Sequence, residues 1–201
     1  SRIAKKAASK IPKAIKILKQ EFKPEERWLV YCDSISQLDE LYDEIIANNL
    51  SAAKYHSKID DAIKAKTLDH FSREAGILLS IRCLDEGVDI PSITHALIIA
   101  SDQNPRQFIQ RRGRILRRDD KNNKKQAYLH DLLISGSEYS DDSTDNLIKT
   151  ELTRSLEFSG SAKNRLFADK QLRDIARVSK IDIQGIIDNT EDFEVDEDDN
   201  K

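Results

Sequence analysis

Five short apolar runs, separated by segments of helical periodicity or by polar loops, do most to restrict the folds open to this chain. They are Trp28-Leu29-Val30-Tyr31-Cys32, Ala52 to His56, Ile77-Leu78-Leu79-Ser80-Ile81, His95 to Ala100, and Ala127 to Leu133. Most are apolar throughout rather than alternating, as strands covered on both faces require. After the first, Leu38, Leu41, Tyr42, Ile45 and Ile46 recur at helical spacing, with Ser34-Ile35-Ser36 as a cap and Asn48-Asn49 as an end. A second helix is expected over 59–71, and Asn104-Pro105 opens a third. Strands alternating with helices predict an α/β fold with a parallel-dominated sheet and helices on both faces. In such sheets the loops leaving the carboxyl ends of the strands build the site. Here those loops begin at Asp33, His56, Ile81 and Ser101.

The flanks read differently. Residues 1–23 predict a basic amphipathic helix: Ile3, Ala7, Ile11, Ala14, Ile15, Leu18 and Phe22 form its apolar side, and lysines fill much of the rest. A docked helix with a solvated face is the simplest reading, and contact with a membrane or a nucleic acid is the alternative. Pro12 marks an early turn or a start signal. The α/β core is expected over 24–135. Residues 136–181 predict a Ser/Asp-rich linker (Gly136 to Asp145) and two helices, Leu147 to Phe158 and Arg165 to Val178. Residues 182–201 read as an acidic, disordered tail. There is no internal repeat.

Net charge is only −3 although 34% of residues are charged, so the sum conceals opposed blocks. Arg111 to Lys125 is strongly basic and Asp182 to Asn200 strongly acidic. The two cysteines, Cys32 and Cys83, sit in or beside apolar runs without metal-ligand company, so buried free thiols in a reducing, intracellular (cytoplasmic) setting are expected. No apolar run approaches membrane-spanning length, no signal peptide is evident, and no membrane partner is expected. The chain begins at Ser1 and contains no methionine, which suggests a piece of something larger.

Chemistry concentrates in Gln110-Arg111-Arg112-Gly113-Arg114-Ile115-Leu116-Arg117. Arg114 and Arg117 are three residues apart and share one face of a helix. Two always-charged guanidinium groups on one face suit the spread charge of a transferring phosphoryl group. A solvated basic face or a plain nucleic-acid patch accounts for them equally well. Ser34, His56 and Ser57 follow strand ends and can donate to phosphate oxygens. For His56 a packing role competes with contact. Gly87 lets backbone approach a ligand closely. Asp85, Glu86 and Asp89 are open to loop solvation, helix capping or pairing with the arginines of 111–118. A metal site is not expected, since no His or Cys cluster supports one.

Four stretches in order form one pattern: Leu29-Val30-Tyr31-Cys32-Asp33-Ser34; Tyr55-His56-Ser57; Cys83-Leu84-Asp85-Glu86-Gly87-Val88-Asp89-Ile90-Pro91; and Gln107 to Arg117. Together they resemble the second, C-terminal RecA-like domain of superfamily 2 helicases and translocases, over about residues 28–135. The last two stretches are the specific ones. Their flavour is closer to the DExH, XPB-type and restriction-associated branches than to DEAD-box RNA helicases.

The resemblance implies roles. Gln110, Arg114 and Arg117 match motif VI, whose glutamine meets the ATP phosphates or the acidic motif of the other domain, and whose arginines act as fingers on the γ-phosphate. Gly87 and Asp89 match motif V, placing them with Glu86 near the nucleotide. Ser34 matches the motif IV position that meets a backbone phosphate, and His56 and Ser57 lie near the nucleic-acid path. The threonine six residues before the motif V glycine is replaced by Ile81, so Ser80, Arg82 or Cys83 is expected to take over its contact. Arg111 adds to the backbone-binding set. The implied partners are a nucleic acid, DNA favoured over RNA, and an N-terminal RecA-like domain of the same parent. The implied cofactors are ATP and Mg²⁺, shared with that domain.

No Gly-x-x-x-x-Gly-Lys-Ser/Thr loop exists in the chain, and no Asp-Glu-x-His/Asp motif precedes the present ones. Nothing in the chain therefore cradles the α- and β-phosphates. The expectation is half of an ATPase, inactive alone. The competing expectations are an ATPase-inactive binding module and the motor part of a restriction or defence subunit.

Overall fold

The computed structural model describes residues 10–81, 93–100, 126–136 and 142–188. The described residues fall into two compact units: one holds 10–81, 93–100 and 126–132, the other 133–136 and 142–188.

In the first unit, helix α1 (Lys10–Glu21) precedes strand β1 (Arg27–Tyr31), helix α2 (Ile35–Ala47), strand β2 (Ala52–Tyr55), helix α3 (Asp61–Glu74), and strands β3 (Gly76–Ser80), β4 (His95–Ile98) and β5 (Tyr128–Asp131). All five expected strands are present. They form one sheet in the order β2-β3-β1-β4-β5, and every pair is parallel. The order reverses beside β1, because the chain leaves β1 for the far edge and returns to β3. In open α/β sheets, ligands bind at the carboxyl ends of strands near such a switch point.

The central apolar runs fold as they do because both sides of β1, β3 and β4 are covered, while the edge strands β2 and β5 are only partly buried. Trp28, Val30 and Cys32 of the β1 run, with Ile77, Leu79, Leu97 and Ile99, face α1 and α2, which contribute Ile11, Ala14, Ile15, Leu18, Leu38, Leu41 and Ile45. The alternate residues Leu29, Tyr31, Leu78, Ser80, Ala96 and Ile98 are equally buried and point the other way. The N-terminal helix is docked: its apolar side lies in the core, while Lys13, Lys16 and Lys19 stay exposed. Pro12 falls in its first described turn, where a missing N–H costs nothing. Helix α2 begins at the expected cap, with Ser34 Oγ accepting a 3.2 Å hydrogen bond from Gln37 N. Asp60 caps α3 in the same way.

The second unit contains helices α4 (Asp142–Gly160) and α5 (Arg165–Val178). The expected linker is shorter than its composition suggests, because Asp142 to Asp145 form the first turn of α4. Asp and Ser suit a helix N-terminus as well as a loop, so composition alone misplaces the boundary. Glu151, fully buried, accepts a 2.7 Å bond from the backbone N–H of Ile134. The acidic stretch is helical at its start, over 183–188, where Asp182 accepts bonds from Gln184 N and Gly185 N. Residues 189–201 lie outside the described residues.

Candidate nucleic-acid interface at the carboxyl end of the sheet

The parallel register brings three strand ends side by side. Ser80 is level with Tyr31 on one side and with Tyr55 on the other. The β1 end continues past Tyr31 through Cys32, whose N–H donates to Ser80 O at 2.9 Å, into the Asp33-Ser34 turn and α2. The β2 end continues into His56 and Ser57. Four residues distant in sequence, Ser34, His56, Ser57 and Ser80, therefore belong to one end of one sheet, where the α/β rule places ligands.

Their surroundings differ. Ser34 and Ser57 are exposed. Ser34 uses its oxygen to cap α2, and no acidic side chain occupies the first turn of that helix. A helix start is a favourable neighbour for a phosphate, although the exposed Asp33 just before the cap opposes it here. His56 is half-buried, and its Nδ1 is enclosed without a hydrogen-bond partner among the described residues. Ser80 is wholly buried, and its Oγ is likewise without one. It faces the inside of the sheet's covering rather than solvent.

One further residue joins this set that the sequence did not single out. Gln37, nearly buried in the first turn of α2, accepts a 2.8 Å bond from Asp33 N through Oε1. Its Nε2 has no partner among the described residues. A glutamine on a helix looks like an ordinary surface residue, and only the fold shows one amide atom used and the other spare. Cys32, beside this turn, is a buried free thiol; burial and then the neighbouring Asp33 push its pKa far upward, so it is no nucleophile.

Arg82, Glu86, Gly87, Asp89, Gln110, Arg111, Arg114 and Arg117 lie outside the described residues. Among the described residues no group of three or more His, Cys, Asp or Glu is placed to hold a metal ion. Among them, no helix is long and apolar enough to cross a membrane.

The parallel order 2-3-1-4-5 with helices packed on the sheet is a RecA-like fold. The chain belongs to the helicase conserved C-terminal domain family, whose pattern matches residues 9–119. It is 34% identical over 89 residues to "Probable helicase A859L" of African swine fever virus, a match covering 43% of this chain and 10% of that protein. It is 38% identical over 64 residues to "DNA 3'-5' translocase XPB2" of Sulfurisphaera tokodaii, covering 32% of this chain and 14% of the relative. The chain thus spans about a tenth of the length of the viral relative it matches. Among solved structures, the C-terminal domain of the DEAD-box protein Dbp5 shares the fold, with a TM-score of 0.56 and 15% identity over 78% of this chain and 81% of that one.

Proposed function

We propose that this chain is the second motor domain of an ATP-dependent nucleic-acid helicase or translocase, acting on DNA in preference to RNA. One observation carries the reading: a five-stranded parallel sheet gathers Ser34, His56 and Ser57 at its carboxyl end, within a family match whose span includes the arginine segment. The name of the Sulfurisphaera tokodaii relative, a DNA translocase, supports DNA, while that of a Methanocaldococcus jannaschii relative, "Putative ATP-dependent RNA helicase MJ1505", points to RNA.

In this reading Ser34, His56, Ser57, Arg82 and Arg111 hold one strand's backbone; Ser80, expected among them, is wholly buried and takes no part. The exposed serines donate to phosphate oxygens, and the cations supply the salt-sensitive part of affinity. Arg114 and Arg117 stabilise charge on a γ-phosphate held by an N-terminal RecA-like domain, and Gln110 orients the same group. Gly87, Asp89 and Glu86 lie beside the nucleotide. ATP with Mg²⁺ would supply the free energy of phosphoryl transfer. This chain has no phosphate loop, so its own residues add to the nucleotide site without forming it. Alone, the chain is expected to hydrolyse no ATP, with or without DNA.

The test is Arg114→Ala in the full-length parent. Arginine fingers contribute roughly 10³ or more to turnover. The substitution should therefore abolish measurable hydrolysis while polynucleotide affinity stays within about twofold of wild type, since the finger contacts nucleotide rather than strand. Lost binding with surviving hydrolysis would make the arginine face a backbone patch and overturn its assigned role.

A further inference from the structure

The second unit carries a surface that the motor reading does not use. Helix α5 turns Leu172 and Ala176 inward, followed by the buried Ser179. An adjoining exposed side presents Leu166, Lys170, Arg173 and Arg177, spaced i, i+4, i+7 and i+11, which is one continuous stripe on an α-helix. Over 163–180 the chain has six basic residues (Lys163, Arg165, Lys170, Arg173, Arg177, Lys180) against two acidic ones (Asp169, Asp174), in a protein of net charge −3. Leu166 is 87% exposed and Phe167 beside it 61%. Large apolar side chains left outside so completely mark a contact surface more often than isolated surface residues do.

We propose that this stripe is a second nucleic-acid contact, binding a single strand with its cations on the phosphates and Phe167 against a base. The proposal extends the motor reading and rests on it for the partner's class. Charge complementarity selects the occupant. At 1.5 Å per residue the three cations stand about 4.5 and 6 Å apart along the axis, a spacing commensurate with successive backbone phosphates. No ion pair among the described residues ties Lys170 or Arg173. Arg177 pairs only with the exposed Asp174, 3.1 Å away, and an exposed pair of this kind is weak enough to yield to a phosphate. A flat aromatic ring beside a cationic row is the general arrangement by which proteins hold single strands without reading sequence. Helix α1 makes the contrast. It is as basic, but its buried residues include Ile11, Ile15 and Leu18, and it offers no exposed large apolar group. Its Lys13, Lys16 and Lys19 are a solvated face.

The experiment uses the whole chain and fluorescein-labelled oligothymidylate and oligouridylate, with anisotropy read across a salt series. Lys170→Glu with Arg173→Glu should weaken binding at least roughly tenfold. It should also lower the salt slope by about 1.4, from two lost contacts at about 0.7 each. Phe167→Ala should weaken binding roughly fivefold or more without changing the slope. These side chains are exposed, so urea midpoints should remain those of wild type. Ser34→Glu, at the sheet, is measured in parallel. If Ser34→Glu weakens binding and the helix variants do not, the stripe proposal fails while the motor reading stands. If the helix variants weaken it and Ser34→Glu does not, the stripe stands and the sheet-end assignment fails. A wild-type chain that binds neither oligonucleotide overturns the stripe. So does a charge-reversed chain that binds them normally but no longer sediments with phosphatidylserine vesicles.

Discussion

The two ends of the one sheet are built on opposite principles. At the amino end, polar and aromatic groups find partners. Trp28 is fully buried, and its ring stacks on His95 at 4.4 Å and on His130 at 5.4 Å, while His95 stacks on Tyr128 at 4.8 Å. Trp28 Nε1 donates to Glu26 at 2.9 Å and His95 Nδ1 meets Thr94 Oγ1 at 3.0 Å. His130, level with Leu97 in mid-sheet, has Nε2 3.3 Å from Glu21 of α1 but makes no hydrogen bond there. At the carboxyl end, Ser80 Oγ, His56 Nδ1 and Gln37 Nε2 are enclosed with no partner among the described residues. Buried polar atoms left unpaired cost stability, and folds tolerate them chiefly where a ligand or another element is to complete them. The amino end is therefore where the sheet is fastened, and the carboxyl end is where the proposed site lies.

That contrast can be broken most forcefully at Trp28. Trp28→Ala removes the hub of the stacked cluster and should destabilise the chain by about 3–5 kcal/mol in urea unfolding. A loss below about 1 kcal/mol would show that the cluster is not the fastening.

Acid provides the second test. Burial is the first cause lowering the pKa of both His95 and His130. Glu26 and, more weakly, Glu21 pull His95 the other way, and His130 and Lys23 add to its lowering; Glu21 opposes the shift at His130. Both rings are thus favoured neutral in the fold. As pH falls from the unfolded value of 6.5 through the lower folded values, the unfolded chain takes up protons first. The stability from these rings is complete above the unfolded pKa and is lost across that window. The urea midpoint should fall between pH 7.5 and 5.5, and replacing both histidines with glutamine should flatten the fall. A midpoint that rises on acidification would contradict the burial argument.

Smaller effects sharpen the other end. Ser34→Ala removes the α2 cap and should cost about 1 kcal/mol, together with a measurable loss of oligonucleotide affinity. Ser80→Ala removes a hydroxyl that bonds to nothing described, so its stability should stay within about 0.5 kcal/mol of wild type or rise. If Ser80→Ala instead costs what Trp28→Ala does, the distinction between the two ends is lost.

Much of this was legible in the residues. The strands at 28, 77 and 95 announce themselves because a strand covered on both sides is apolar almost throughout, while the edge strands at 52 and 127, with Lys54, His130 and Asp131, read less plainly. The serine at 34 and the asparagines at 48 and 49 bracket α2 by local hydrogen-bonding chemistry that needs no distant partner. The start of α4 was not legible, because a Ser/Asp-rich first turn and a Ser/Asp-rich loop have the same composition. Nor was the spare amide of Gln37, or the pairing of Glu151 with Ile134 N, since both depend on which backbone donor the fold delivers.

The linear order of residues was enough for the class of fold, the family motifs and the absence of a phosphate loop, because each is a matter of local periodicity or contiguous spacing. Which strand neighbours which, and hence that Tyr31, Tyr55 and Ser80 end level with one another, arose only on folding. The same holds for which cationic helix keeps its apolar side chains in the core and which holds them out to solvent. Strand pairing and burial are set by contacts between segments far apart in the chain, and no local pattern encodes them.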